Sequence, residues 1–181
     1  MPFLPEFDEK TTQRDLFRLW PHLARSVNGL AQQLLREGPF TPAQAELVFS
    51  FTSGVNACRY CYNIHRLTAE RLGIEENLLE TLLDDIDAAP VEEPMKPILR
   101  YARKLTETPT RIVQADVDSI LAAGWDAEAF HYATSICALA NYFNRILDGH
   151  GIQADMSYWT ESSQRLAEKG YSDLKALGVE D

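Results

Sequence analysis

The chain of 181 residues has few of the features that mark secreted, membrane-spanning or nucleic-acid-binding proteins. No apolar run approaches the roughly 20 residues that a bilayer-spanning helix needs, and the first thirty residues contain no apolar signal-peptide core. Basic residues are outnumbered 27 to 17 by acidic ones and form no cluster, which argues against nucleic-acid or membrane partners. We therefore expect a cytoplasmic protein. In that reducing compartment a Cys-x-x-Cys pair more often serves redox or metal chemistry than a structural disulfide.

Strand patterning is also missing, since the only candidate, at residues 111–114, is too short to anchor a sheet. Apolar residues instead recur every three or four positions, which predicts an all-α fold. Flavin, haem and nicotinamide fingerprints are absent, so we expect no bound cofactor. With 45% hydrophobic residues, the chain can bury one core. We predict a single domain over 1–181, with an extended arm at 1–10 and a tail at 171–181.

Several helices can be assigned from their patterns. The longest, predicted at 127–148, is apolar on more than one face and should be the central buried helix, with Cys137 as a core residue. A polar strip on it should tie it to a neighbouring helix; the strip consists of Asn141, Asn144, Arg145 and Asp148. A last helix to Lys169 is expected to be architectural. Near the amino terminus a predicted core stripe comprises Leu16, Leu19, Trp20, Leu23, Val27, Leu30 and Leu34.

The chemistry is concentrated in the segment that begins at Cys58. Cys58, Cys61 and His65 are three, four and seven positions apart, so they share one face of a helix. Asn56 is the predicted N-cap, which would place Cys58 in the first turn, where free amides and the macrodipole favour a thiolate. His65 could accept the proton of Cys61. Two thiols and a base are the groups that a redox or peroxide-reducing site needs.

A carboxylate precedes the motif on a separate helix. Thr41, Pro42 and Gln44 combine an N-cap, a proline at the first helical position and a capping box. Glu46 lies one turn inside this helix in a mostly apolar segment, and across a bend at Gly54 it could return to His65 or the thiols. The sequence therefore predicts a helical hairpin, the motif hairpin of residues 41–75, with helices at 41–53 and 57–72.

Glu46, Cys58, Cys61 and His65 reproduce the pattern Glu-x(11)-Cys-x-x-Cys-x-x-x-His, which resembles the AhpD-like alkylhydroperoxidases of the carboxymuconolactone decarboxylase superfamily. A weaker likeness at 141–149 is similar to the Asn-x-x-Asn-Arg segment of an uncharacterised peroxidase-related branch. The resemblance implies an all-helical AhpD-like domain, with the Cys-x-x-Cys motif at the start of a helix in a hairpin. It also implies that Cys61 attacks the peroxide, that Cys58 is proton donor and resolving thiol, and that His65 and Glu46 relay protons. One departure is Tyr60, where AhpD has a histidine, because tyrosine does not readily shuttle a proton near neutral pH.

The resemblance further implies a hydroperoxide substrate, a thiol or dithiol reductant and a homo-oligomer, whether dimer, trimer or hexamer. Aromatic residues that could supply oligomer contacts are Trp20, Trp125, Trp159 and Tyr171.

Three alternatives to a thiol peroxidase or disulfide reductase remain open. The same four motif residues could ligate zinc, although a cysteine pair within one helix is unlike a structural zinc site. The motif could instead be packing in a helical oligomer without enzymatic activity. A cofactor-free decarboxylase of the same superfamily is the third, but such an enzyme does not depend on a dithiol.

Overall fold

The computed structural model describes residues 2–173, and within this range the chain forms nine α-helices and one 3₁₀ turn, with no strand. The helices are α1 (Gln13–Leu19), α2 (Pro21–Arg36), α3 (Pro42–Val55), α4 (Arg59–Arg71), α5 (Leu78–Asp84), α6 (Met95–Glu107), α7 (Gln114–Ala122), α8 (Ala127–Gly149) and α9 (Met156–Lys169), with the 3₁₀ turn at Pro109–Arg111. The predicted all-α class is confirmed. None of these helices is both long and apolar enough to cross a bilayer.

Local sequence signals set most of the helix ends. At the start of α3, Thr41 Oγ1 accepts a hydrogen bond from the Gln44 amide at 3.2 Å, and Gln44 Oε1 accepts one from the Thr41 amide at 3.0 Å. This is the predicted capping box. The carboxylates of Asp126 and Asp155 cap α8 and α9 through amides three residues further on, at 2.8 and 2.9 Å. Gly73, with φ of 108°, follows the end of α4.

The central helix is α3, and the prediction that α8 would be central is wrong. Nine consecutive residues of α3, 45–53, are buried, so every face of this helix is covered. Its neighbours include α2, α4, α5, α6 and α8. The polar positions of α3 tolerate burial because short hydroxyl side chains donate to carbonyls one turn back, as Ser50 does to Glu46 O at 2.8 Å and Ser53 to Phe49 O at 3.0 Å. In contrast, α8 leaves part of its surface exposed.

Gly54 lies within α3 and does not break the helix. A Cβ at this position would lie 2.7 Å from Leu83 Cδ1 and 3.2 Å from Tyr62 Cδ2. The glycine therefore allows α3 to pack closely against α5 and α4, and the reversal of the chain comes after Val55.

The predicted core stripe of α1 and α2 is only partly buried. Four of its members are exposed by 46 to 55%, namely Leu19, Trp20, Leu23 and Leu30. The buried face of α2 instead includes Ala24 and Ala31, whose small side chains let α2 pack against α3 and α8. Of the aromatic residues expected at a surface, Trp159 and Tyr171 are buried.

Candidate functional site

The two motif cysteines lie where the chain turns back from α3 into α4. Because α3 runs to Val55, Asn56 follows its carboxyl end in helical conformation, and the predicted N-cap role of Asn56 is wrong. Cys58 is itself the N-cap residue, and Cys61 lies in the first turn of α4. Between them and α3, Ala57 adopts φ of 55°, a left-handed conformation that side chains rarely adopt. This sharp turn places the cysteine pair beside α3.

Both thiols are free and buried, with Cys58 fully enclosed and Cys61 exposed by 3%. The two thiols are close neighbours. Burial, followed by the neighbouring Cys58 thiol, raises the pKa of Cys61 well above its ordinary value. Cys61 is therefore a protonated thiol near neutral pH, and it needs a base before it can act as a nucleophile.

A small chamber of about 40 Å³ lies beside Cys61, between α4 and α9. We call it the Cys61 chamber. It is lined by Cys61, His65, Ser162, Arg165 and Tyr171, among others. Cys58 does not line it. Of the two motif cysteines, Cys61 is therefore the one that lines the same chamber as His65.

The motif carboxylate and imidazole meet as the hairpin prediction requires. His65 Nδ1 lies 2.7 Å from Glu46 Oε2, and the imidazole stacks on the Phe49 ring with centroids 3.7 Å apart. Glu46 is fully buried. With Nδ1 bonded to a carboxylate, Nε2 is the ring nitrogen available to exchange a proton with another group. The pair thus has the geometry of a base and the carboxylate that orients it.

Two further residues hold Glu46, and neither contact was predicted from the sequence. Arg36 Nη2 lies 2.8 Å from Glu46 Oε1, and the Tyr171 hydroxyl donates to the same oxygen at 2.8 Å. The Tyr171 oxygen is also 3.2 Å from His65 Nδ1. Burial by itself would raise the pKa of Glu46, but the charge and hydrogen bond of His65, the charge of Arg36 and the hydrogen bond of Tyr171 together lower it. Glu46 is therefore an ionised carboxylate.

No signal in the sequence pointed to these partners. Arg36 occupies the last turn of its helix, where a basic residue is common for local reasons. Tyr171 belongs to the segment assigned to the tail, yet it is 6% exposed and packs in the site. Residues 174–181 of that tail lie outside the described residues.

The sulfur of Cys58 faces α8 on the other side of the motif. The predicted common face of the three motif residues is therefore wrong for Cys58, whose N-cap backbone is extended rather than helical. Cys58 Sγ lies 3.4 Å from Asp148 Oδ1, so the thiol can donate to this carboxylate. Asp148 belongs to the polar strip expected on this helix, although no sequence pattern predicted its contact with a cysteine. Cys58 therefore has a possible proton acceptor in contact, the Asp148 carboxylate, whereas Cys61 shares the Cys61 chamber with the imidazole of His65.

The two asparagines of the strip, Asn141 and Asn144, fix the hairpin turn. Asn56 Nδ2 donates to Asn141 Oδ1 at 3.0 Å and to Asn144 Oδ1 at 2.8 Å, and Asn144 Nδ2 donates to Ser53 Oγ at 3.0 Å. The prediction that the strip ties this helix to a neighbour is confirmed for these residues. Arg145 differs, because its guanidinium turns back to Asn141 within α8.

Tyr60, at the position of the AhpD histidine, is a packing residue. Its hydroxyl accepts a hydrogen bond from the Gln13 amide at 3.1 Å, which ties α4 to α1. Burial and the nearby Tyr158 raise the pKa of Tyr60 well above its ordinary value. The phenol therefore keeps its proton at neutral pH.

The four motif residues do not form a metal-binding cage. Among residues 2–173, no group of three or more His, Cys, Asp or Glu side chains could hold a metal ion. Glu46 is instead engaged with Arg36 and Tyr171. The zinc alternative thus has no ligand set in the described part of the chain. Cys137, the third thiol, is buried as predicted.

Solved structures share this arrangement of helices. An uncharacterized peroxidase-related protein from Silicibacter sp. TM1040 superposes with a TM-score of 0.75 at 18% identity, covering 81% of this chain and 78% of its own. An uncharacterized peroxidase-related protein from Ralstonia eutropha JMP134, described as an alkylhydroperoxidase AhpD core, superposes with a TM-score of 0.71 at 18% identity. The match covers 82% of this chain and 78% of that protein. A protein of unknown function from Agrobacterium tumefaciens, provisionally described as the antioxidant defence protein AhpD, superposes with a TM-score of 0.67 at 19% identity. The match covers 81% of this chain and 99% of that protein.

At these identities the likeness establishes the fold. The chain has the AhpD-like helical fold, and the resemblance read from the motif is confirmed at that level. No protein-family model matches the sequence, and no curated protein matches it.

Proposed function

We propose that the protein is a thiol-dependent hydroperoxide reductase that uses Cys58 and Cys61 as a redox pair. The observation that carries this proposal is that Cys61 shares a small chamber with His65, whose Nδ1 lies 2.7 Å from buried Glu46. A thiol nucleophile is activated by an adjacent base, which is in turn oriented by a carboxylate. The structural neighbours, which are described as peroxidase-related or AhpD proteins, support an oxidoreductase of this general kind.

In the first half-reaction Cys61 reduces the peroxide. His65 Nε2 takes the thiol proton while Glu46 stabilises the imidazolium that forms. The Cys61 thiolate attacks one peroxide oxygen, so an S–O bond forms as the O–O bond breaks. The sulfur loses two electrons and becomes a sulfenic acid, and the other oxygen receives the proton from His65 and leaves as water or an alcohol.

In the second half-reaction Cys58 closes the disulfide. Its proton passes to Asp148, 3.4 Å away, and the Cys58 sulfur displaces hydroxide from the sulfenic acid, which leaves as water once protonated. A thiol or dithiol reductant then reduces the disulfide. A groove of about 330 Å³ beside Cys58, bounded by Gly54, Tyr62 and Leu83 among others, is the side from which such a reductant can approach.

The burial of both sulfurs favours a small oxidant over a protein disulfide. Attack on another protein would need an exposed thiol, whereas Cys58 and Cys61 are 0 and 3% exposed. A decarboxylase of the same superfamily would not require the dithiol. The non-catalytic alternative gives no reason for the His65–Glu46 pair to lie beside a chamber that contains a thiol.

The direct test is to count free thiols before and after one equivalent of hydrogen peroxide, with mass mapping of the products. We expect rapid loss of two of the three thiols, a Cys58–Cys61 disulfide and an unmodified Cys137, which serves as an internal control. Cys61→Ser should abolish peroxide turnover, Cys58→Ser should leave a trappable sulfenic acid, and Cys137→Ala should behave like the parent. Full activity of Cys61→Ser would show that Cys61 is not the attacking sulfur, and unreactive thiols would favour a structural role.

The cytoplasmic location and the homo-oligomer stay predictions. For the oligomer, the half-exposed apolar residues of α1 and α2 provide a candidate contact surface, formed by Leu19, Trp20, Leu23 and Leu30.

A further inference from the structure

Two polar side chains of α9 that line the Cys61 chamber carry buried atoms without a hydrogen-bond partner among the described residues. Ser162 is 3% exposed, and its Oγ has no hydrogen-bond partner among the described residues. The same holds for Nε and Nη1 of Arg165, both of which are shielded from solvent. Since buried polar groups nearly always have partners, three unused polar atoms on two residues that line one small chamber indicate a place for a ligand.

The charge around Arg165 indicates what kind of ligand this is. Burial, and then the positive charge of Arg14, lower the pKa of Arg165, while Tyr158, Tyr171 and Asp173 oppose that shift. Arginine nevertheless stays protonated in proteins. The guanidinium of Arg14 is engaged with Glu161 at 2.9 Å. The chamber therefore contains a cation with unused N–H donors, which favours an oxygen that carries negative charge.

We propose that Arg165 and Ser162 form the peroxide-binding wall of the Cys61 chamber and bind the oxygen that leaves when Cys61 attacks. The inference rests on the proposed reductase function and adds a further catalytic residue, Arg165, to it. As the O–O bond breaks, negative charge develops on the departing oxygen, and preorganised donors stabilise that charge. The proton that His65 removed from Cys61 then goes to this oxygen, which leaves as water or an alcohol.

The volume of the chamber limits the size of the substrate. At about 40 Å³, the chamber has room for about three or four water-sized groups at roughly 10–15 Å³ each. Both oxygens of hydrogen peroxide fit in that space, with one near Cys61 and the other near α9. The substrate class is therefore hydrogen peroxide or a hydroperoxide with a small substituent.

The test compares two reactions of Cys61 in a Cys58→Ser background, in which the sulfenic acid can be trapped and quantified. Oxidation by hydrogen peroxide creates a charged leaving oxygen, whereas alkylation by iodoacetamide depends on the thiolate and its accessibility but releases no oxygen. We expect Arg165→Gln to slow oxidation by about 100-fold, the effect of removing an oxyanion-stabilising donor. Alkylation of Cys61 should change little. Arg165→Lys should recover part of the oxidation rate because it retains the charge.

Matched controls come from the same neighbourhood. Ser162→Ala should slow oxidation selectively, whereas Ser163→Ala should not, because Ser163 does not line the chamber. Its Oγ donates a hydrogen bond to Thr160 O and accepts one from Arg71 Nε. Arg14→Gln removes a nearby positive charge from a residue that does not line the chamber, so its oxidation rate should stay close to that of the parent.

Two failures can be distinguished. If Arg165→Gln leaves oxidation unchanged, or slows oxidation and alkylation in parallel, Arg165 has no role at the leaving oxygen, even though the parent still reduces peroxide. If the parent is alkylated at Cys61 but does not react with hydrogen peroxide, the proposed function itself fails and the inference fails with it.

Discussion

Removal of one hydroxyl group, by Tyr171→Phe, tests whether the segment after α9 belongs to the site. The Tyr171 hydroxyl donates to Glu46 Oε1 at 2.8 Å, and both residues are buried. Phenylalanine keeps the ring, so it also keeps the packing of the ring and the Arg36 guanidinium that lies 5.1 Å from its centroid. The substitution therefore removes the hydrogen bond to a buried charge, together with the 3.2 Å contact between the hydroxyl and His65 Nδ1.

The magnitude follows from what remains around the carboxylate. A hydrogen bond to a charged group contributes about 1.5–3 kcal/mol. Because Arg36 still lies 2.8 Å from the same oxygen, that oxygen is not left without a partner, so we expect the lower part of this range. The free energy of unfolding of Tyr171→Phe should thus be lower than that of the parent by about 1.5–2 kcal/mol.

Urea unfolding at pH 7, followed by circular dichroism, measures this difference, and an unchanged m-value would show that the unfolded states are comparable. Tyr62→Phe is the matched control, since its hydroxyl donates to Glu80 at 3.3 Å in a pair that is far less buried. Water can replace that bond, so the control should lose no more than about 0.5 kcal/mol. Equal small losses in the two variants would refute the reasoning, because Tyr171 would then not be held at Glu46.

Two further predictions concern pH and substrate size. The free energy of unfolding should fall as pH rises above about 9 to 10, because burial raises the pKa of Cys61, Tyr60 and Tyr171 well above their ordinary values of 9.0 and 10.0. These groups ionise at lower pH in the unfolded chain than in the folded one, so their contribution to the free energy of unfolding is complete below pH 9 and is lost as the pH approaches their pKa values in the folded protein. Urea unfolding between pH 8 and 11 should show the decline, and a flat profile would contradict it. The Cys61 chamber should also favour hydrogen peroxide over cumene hydroperoxide by more than about tenfold in the rate of Cys61 oxidation by stopped flow, and equal rates would show that the chamber does not limit substrate size.

Much of the helical layout could be predicted because it depends on neighbouring residues. The capping box of Thr41 and Gln44, and the caps of Asp126 and Asp155, are short patterns whose partners lie within one turn. The predicted bend at Gly54 is wrong, because α3 continues through this residue to Val55. A glycine inside a helix can either interrupt it or allow close packing, and only the position of Leu83 on a later helix shows that packing is its role here.

Within the candidate site, the sequence by itself determined the order of the chemical groups along α4. The spacing of Cys61 and His65 fixes their relative positions, because helical periodicity is a property of consecutive residues. Cys58 precedes the helix as its N-cap, so periodicity does not place its sulfur. Glu46 was assigned to the site from the complete Glu-Cys-Cys-His motif, and its 2.7 Å contact with His65 agrees with that assignment.

Only the tertiary structure decided which distant groups complete the site. Tyr171 reaches Glu46 across 125 residues, Asp148 reaches Cys58 across 90, and Arg165 lines the Cys61 chamber from a helix that the sequence marked as architectural. Each of these side chains is compatible with a solvent-exposed position when only its neighbours in the sequence are considered. Their contacts depend on how the helices pack around α3, and that packing is set by the whole core rather than by any local pattern.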